Sequence, residues 1–446
     1  MFHIAKLIKT NNQLYLYDSL CNRIAPVPAS FVSKNGTINK NKHDKFIKEQ
    51  HFRDCTQPTE FNISYGYTDS ELLNLINNRM SNIMLSLTEQ CNLRCKYCAY
   101  IDKYSQGSAL KEMNRGVAFN AIDLLMKHSS QADFVFVDFY GGEPLLKFDL
   151  IKECIDYCKK RYPFTIPRYQ ITTNGLLLGS NDVIEFLVKN EFQITISLDG
   201  PKSIQDRYRL QKNGQVSFDR VFENITKLYK YSPQFFKEHV VFNAVVGPTT
   251  GTVEQYEFLE NLCKTEVILI DCNITDYFSK VIAKELLTSE NETINAQNHT
   301  LMKKTLLKSM QKYHDALSSP SWQHHIFPGG FCIPGTRKNF ITADGKIIVC
   351  EKVDEKNSSY QVGDVFNGID IHRVKELVTE TISKTQRCKT CWAAKFCNIC
   401  FKDIFNLTDE FCEKTRNRIE RELAYYLDNI KDSKKLTNYL ENLSIE

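Results

Sequence analysis

The sequence contains no run approaching the roughly 18 apolar residues that a membrane-spanning helix requires. Its opening, MFHIAKLIKTNN, lacks the long apolar core of a secretory signal. These two absences predict a cytoplasmic protein without a membrane partner. Charge of one sign is also missing: 57 basic residues face 53 acidic ones, for a net charge of +4. No basic stripe with interleaved aromatics occurs, so a nucleic-acid partner is not expected. Cysteine, in contrast, is plentiful. Sixteen cysteines in a chain expected to stay in a reducing compartment fit metal or redox chemistry better than disulfides. A length of 446 residues allows two to four domains with large cores.

The sharpest feature is LSLTEQCNLRCKYCAY, residues 85–100, where Cys91, Cys95 and Cys98 form a C-x3-C-x2-C array directly after the apolar run Ile83–Leu87. Three thiolates at this spacing can hold three corners of a cubane iron–sulfur cluster and leave the fourth iron without a protein ligand. A zinc site or ordinary buried thiols is the plainer alternative, although zinc prefers four ligands arranged in C-x2-C pairs. The array resembles the signature of the radical SAM enzymes. That resemblance implies a [4Fe–4S] cluster on the trio with S-adenosylmethionine (SAM) on its open iron, and it sets Tyr97 against the adenine.

Residues 3–27 carry two alternating apolar runs around Thr10-Asn11-Asn12 and read as a β-hairpin. The stretch to about Asn62 is polar and reads as a linker or solvated face. Between Ile83 and about Thr275, apolar runs alternate with helix-period segments. The runs are Ile83–Leu87, Phe134–Phe139, Tyr169–Thr172, Ile194–Leu198, Val240–Val246 and Val267–Ile270. Six βα units predict an α/β fold with a parallel sheet buried on both faces. The resemblance implies a partial (β/α)6 TIM-type barrel, preceded by a small β-rich N-terminal domain like those that capture a leader peptide in some peptide maturases. The expected divisions are 1–80, a possible leader-binding module; 81–275, the partial barrel; 276–330, a helical bridge; and 331–446, a C-terminal cysteine domain ending in a helix.

Reactive groups of such barrels gather where strands end, and three polar motifs fall there. Phe139-Tyr140-Gly141-Gly142-Glu143-Pro144 has two glycines that permit close backbone approach, with a carboxylate able to hold an ammonium group. Thr172-Thr173-Asn174-Gly175 and Ser197-Leu198-Asp199-Gly200-Pro201 are also plain turn sequences. By resemblance, Gly141, Gly142, Glu143 and Pro144 correspond to a motif that binds the SAM amino group. Asn174 and Ser197 fall near its ribose and methionine carboxylate, and Arg209, preferred over Arg207, pairs with that carboxylate. Cys154 and Cys158, four apart on an expected outer helix, read as packing thiols.

A second cysteine set begins at Cys332 and runs through an expected Asp344-Gly345 hairpin to Cys350. It continues as CKTCWAAKFCNIC, with Cys388, Cys391, Cys397 and Cys400, and ends at Cys412. Seven clustered cysteines indicate metal, with a zinc ribbon as the alternative. The set resembles the SPASM extension of peptide-modifying radical SAM enzymes, which carries two auxiliary [4Fe–4S] clusters. Carried over, Cys388, Cys391, Cys397 and Cys412 would hold the outer cluster and Cys332, Cys350 and Cys400 the inner one. Cys400 departs from the usual spacing, since two residues rather than three precede it. No cysteine occurs in residues 322–331; Cys272 is the nearest, and His324 and His325 are possible substitutes. An inner cluster with an open iron would be able to bind a substrate thiolate near Cys400.

The resemblance therefore implies three [4Fe–4S] clusters, SAM, a ribosomally made precursor peptide with its leader, and an electron donor such as flavodoxin or ferredoxin. The expected reaction is a thioether cross-link from a cysteine sulfur to carbon. Carbon–carbon cross-linking or epimerising maturases, a sulfatase-type formylglycine maturase and a non-catalytic zinc-binding adaptor are the alternatives.

Overall fold

The computed structural model describes residues 4–32 (without 12 and 21), 60–98 (without 65), 109–245 and 333–429 (without 398 and 406), with isolated positions between 246 and 332. The chain divides into two compact units, one of residues 1–67, 282–331 and 378–446, the other of residues 68–281 and 332–377.

In the first unit, β1 (Ala5–Lys9), β2 (Leu14–Asp18) and β3 (Arg23–Val27) form an antiparallel sheet. The expected hairpin is present, and a third strand extends it through the pairing of Leu14 with Val27. Tyr17 is fully buried and donates its hydroxyl to Asn22 Oδ1 at 3.0 Å. It packs with Trp392, Phe396 and Tyr313 on one core. A short strand, β4 (Asn62–Ile63), also belongs to this unit.

The second unit opens with α1 (Asp69–Asn78), started by a capping box in which Thr68 and Glu71 satisfy each other's backbone donors. Its sheet is built from β5 (Asn82–Thr88), β7 (Phe136–Gly141), β8 (Arg168–Thr173), β9 (Gln193–Ser197) and β11 (Val240–Asn243), all parallel. Between them lie β6 (Leu93–Cys95), β10 (Arg209–Gln211) and the helices α2 (Arg115–Lys127), α3 (Phe148–Arg161), α4 (Asn181–Lys189), α5 (Lys202–Tyr208), α6 (Phe218–Tyr231) and α7 (Pro233–His239). Five of the six expected strands are thus present, and the sixth, Val267–Ile270, lies outside the described residues. Most of the expected bridge does too, except for isolated positions such as β12 (His325–Ile326), which pairs with β4 in the first unit.

The sheet does not stop at β5. Strand β13 (Lys338–Ile341) joins its free edge in parallel, with Phe340 opposite Met84. It turns at Asp344-Gly345 into antiparallel β14 (Lys346–Ile348), β15 (Gln361–Asp364) and β16 (Gly368–Ile369), giving a mixed nine-stranded sheet. Gly345 has φ +90°, which the tight turn requires. Helix α8 (Ile371–Lys384) follows, and α9 (Asp409–Asn429) closes the described chain.

Side chains alternate across a strand, and here the two faces differ sharply. Val137, Phe139, Ile171, Ile194 and Ile196 are essentially fully buried on one face, where α2 packs against β5 and α3 against α2. The opposite face carries Asp138, Tyr140, Gln170, Thr172, Thr195 and Asn243, mostly only half-buried. A long parallel strand core with one polar, partly accessible face positions a ligand site at the strand ends.

Candidate active site at the strand ends

Cys91, Cys95 and Cys98 lie on the segment that leaves β5, with Cys95 closing the short strand β6. The segment does not hold itself; two other segments clamp it. Gly142 N donates to Thr88 O at 2.7 Å, and Glu143 N donates to Gln90 O at 2.9 Å. On the other side, β10 pairs antiparallel with β6, placing Arg209 opposite Cys95. Lys96 N donates to Tyr208 O at 3.0 Å and Lys212 N to Asn92 O at 2.9 Å. The thiols are close enough to act on one another electrostatically. Burial pushes Cys91 up to about 12 and Cys95 up to about 11, with Arg209 opposing the shift at Cys95. Two donors already face the Cys91 sulfur, Leu93 N at 3.3 Å and Asn174 Nδ2 at 3.6 Å.

The two glycines of the motif after β7 serve a different purpose from the one their sequence suggests. A Cβ on Gly141 would stand 2.4 Å from Thr88 O, and one on Gly142 would stand 2.2 Å from Gln90 O. Their missing side chains let two backbone segments meet, which fixes the start of the cysteine loop. Glu143 is fully buried. Its carboxylate accepts Thr173 Oγ1 at 2.8 Å, Asn174 N at 2.8 Å and Leu145 N at 3.1 Å. Burial nevertheless pushes its pKa up to about 7. Pro144, also buried, starts a 3-10 turn.

Asn174 bridges outward from this knot. Its Oδ1 accepts Leu176 N at 3.0 Å, and its Nδ2 donates to Asn92 Oδ1 at 2.7 Å. Ser197 ends β9 opposite Asn243, half-buried. Arg209 is buried, with Nε 3.1 Å from Asp199 Oδ1 and Nη1 4.0 Å from Cys95 Sγ. Its guanidinium lies 5.5 Å from the centre of the Tyr97 ring. Tyr97 donates its hydroxyl to Asp199 Oδ2. Sequence reasoning passed over Asp199, because Asp-Gly-Pro reads as a turn, and it passed over Asn92 for want of any motif. The position of Asp199 directly after the apolar run Ile194–Leu198 was the available signal.

The later cysteines fall into both units. Cys388, Cys391, Cys397 and Cys412 line one small pocket in the first unit, with Arg416 on its wall. Burial pushes Cys388 up to about 12 and Cys397 up to about 11. Burial raises the Cys391 thiol as well, with the positive charge of Arg416 opposing the shift. Cys350 belongs to the second unit and Cys400 to the first, whereas Cys332, Cys272 and His324 lie outside the described residues, as does the side chain of His325. Cys154 and Cys158 are fully buried on α3. Among the described residues, no three His, Cys, Asp or Glu side chains group at the spacing of a single metal ion. No described helix is long and apolar enough to cross a membrane.

A mixed α/β sheet with a clamped cysteine loop at its strand ends defines the class of this second unit. Residues 85–281 match the Radical SAM superfamily, so the chain carries a radical SAM domain. An uncharacterised protein of Methanocaldococcus jannaschii is 34% identical over 164 residues, 37% of this chain and 54% of the relative. The cysteine-type anaerobic sulfatase-maturating enzyme of Clostridium novyi is 33% identical over 161 residues, 35% of this chain and 42% of the relative. The chain thus spans about half the length of these relatives or less. Among solved structures, native anSMEcpe with bound AdoMet and Cp18Cys peptide shares the fold at a TM-score of 0.55 and 18% identity, covering 79% of this chain and 99% of that one.

Proposed function

We propose that this chain is a radical SAM enzyme that modifies a ribosomally made peptide, installing a thioether between a cysteine sulfur and a carbon. The observation that carries the reading is the loop of Cys91, Cys95 and Cys98, clamped from both sides at the strand ends with hydrogen-bond donors already aimed at Cys91. Those residues fit a [4Fe–4S] cluster: the thiols are near neighbours, and donors to sulfur stabilise the electron-rich ligand set. With SAM on its open iron, such a cluster supplies one-electron cleavage of SAM and a 5′-deoxyadenosyl radical able to take hydrogen from unactivated carbon.

The chain's own residues would then bind and orient. Tyr97 offers a ring face to the adenine, Arg209 a cation to the methionine carboxylate, and Asn174 and Ser197 polar groups to the ribose side. The inner strand face suits a peptide better than a phosphorylated substrate. Among its described strand residues the cations are Lys338, Lys346 and Arg168, each at a strand start, whereas phosphates call for convergent Arg or Lys. Amides and hydroxyls such as Gln170, Thr172 and Asn243 match backbone N–H and C=O groups instead. Cys388, Cys391, Cys397 and Cys412 would hold an outer auxiliary cluster. Cys332, Cys350 and Cys400 would hold an inner one whose open iron takes the substrate thiolate. The N-terminal sheet would receive the leader, and a flavodoxin or ferredoxin would deliver electrons.

A formylglycine-forming activity is the second reading, favoured by the sulfatase-maturating relative. Anaerobically purified protein should be brown, should contain iron and sulfide, and should release 5′-deoxyadenosine from SAM with dithionite. Colourless zinc-bound protein would end the enzyme reading. Co-expression with a short cysteine-bearing peptide encoded beside the gene decides the product. Loss of two hydrogens without a new aldehyde supports a cross-link, an unchanged mass supports an epimer, and a product aldehyde that reacts with a hydrazine supports formylglycine from Cys or Ser. Iodoacetamide protection of one cysteine separates carbon–sulfur from carbon–carbon linkage.

A further inference from the structure

Asp199 is fully buried, yet both carboxylate oxygens are committed. Oδ1 accepts Val245 N at 3.0 Å and faces Arg209 Nε at 3.1 Å, while Oδ2 accepts the Tyr97 hydroxyl. Its backbone is held as well: Asp199 N donates to Gln205 Oε1 at 2.9 Å, and Gln255 Nε2 donates to Asp199 O. One carboxylate therefore ties together the cysteine loop, β10 and the end of β11. Arg209, in turn, reaches toward the Cys95 sulfur.

We infer that Asp199 is a positioning residue that fixes Arg209 and Tyr97 beside the cysteine loop and offsets the Arg209 charge felt by the cluster there. The inference rests on the radical SAM reading of that loop. A buried guanidinium next to a thiolate ligand favours the reduced, more negative cluster and raises its potential. A carboxylate 3.1 Å from that guanidinium cancels most of the effect and keeps the potential low, as reduction of SAM demands of its electron donor. The same contact, with the Tyr97 ring centre 5.5 Å away, keeps the guanidinium beside the cysteine loop. Its remaining N–H groups are then presented to a ligand carboxylate without further ordering.

A purely structural ion pair would be destabilising to break but would leave the potential and ligand affinity alone. The test is full-length reconstituted Asp199→Asn, with the first cluster identified as the paramagnetic signal absent from Cys95→Ala. Redox titration should give a more positive midpoint potential than wild type, and SAM, monitored by its perturbation of that signal, should bind at least about tenfold more weakly. Tyr97→Phe keeps the ring but removes the proton that Asp199 accepts, so its potential should move the opposite way, to more negative values. Should Asp199→Asn fail to fold, the Tyr97→Phe shift decides alone. Iron-loaded variants with unmoved potential and SAM affinity overturn this inference. A wild type that takes up no iron at Cys91, Cys95 and Cys98 overturns the radical SAM reading and this inference with it.

Discussion

Glu143 accepts the backbone N–H of Asn174 at 2.8 Å across two strand-end loops, from inside a fully buried pocket. The contact joins the motif after β7 to the motif after β8, and Asn174 carries it on to Cys91. Replacing Glu143 with Gln leaves one acceptor oxygen for donors that now use two and turns an NH2 group toward one of them. A buried unmatched donor costs about 1–3 kcal/mol. Urea unfolding of Glu143→Gln should show a loss of that order, and iron retained per chain after reconstitution should fall.

Gly142→Ala tests the backbone contact on the other flank. The new Cβ would meet Gln90 O at 2.2 Å, and backbone cannot step aside as a flexible side chain would. Overpacking of this kind typically costs about 1–3 kcal/mol. The variant should unfold earlier in denaturant and bind less iron at Cys91, Cys95 and Cys98. Gly214→Ala, where nothing stands within 4 Å of the added Cβ, should retain full iron binding despite backbone strain at its own turn.

Asp138 makes stability depend on pH. It lies on the polar strand face, almost fully buried, and burial pushes its pKa up to about 7 against partial relief from Lys338. A carboxyl group whose folded value exceeds its unfolded one contributes stability at low pH and loses it as pH rises through the folded value. Wild type should therefore weaken relative to Asp138→Asn between about pH 4 and 7, by at most about 4 kcal/mol. Parallel denaturant curves at pH 5 and pH 8 give the difference, and a gap that does not widen with pH would rule out a protonated Asp138.

The outer cysteine set should couple metal to folding. Cys391 and Cys397 pack against the same core as Trp392, Phe396 and Tyr17. A cluster bound there stabilises only the folded state. Iron removal by a chelator, or Cys391→Ala, should lower the thermal midpoint and increase tryptophan exposure at Trp392. If the metal-free protein melts at the same temperature, the cysteines there hold no structural metal.

The order of strands was legible because periodicity is local. Helices such as Phe218–Tyr231 and Asn181–Lys189 fill the helix-period intervals between the apolar runs, and the Asp344-Gly345 turn lies where its two residues require. The parallel attachment of β13 to β5 was not legible, since alternation along a strand says nothing about which edge it joins. The glycines of the β7 motif show the same limit. Their need for a bare Cα was plain, but the partner that demands it, the Thr88–Gln90 backbone, was not.

The cysteine code by itself determined the chemistry to look for, because thiol spacing within one loop is a local property of the chain. Tertiary structure alone decided how that loop is held. Tyr97 and Asp199 stand 102 positions apart, and nothing in either neighbourhood encodes the other. Only the parallel sheet, by bringing its strand ends to one edge, places a buried carboxylate where Tyr97 and Arg209 can share it.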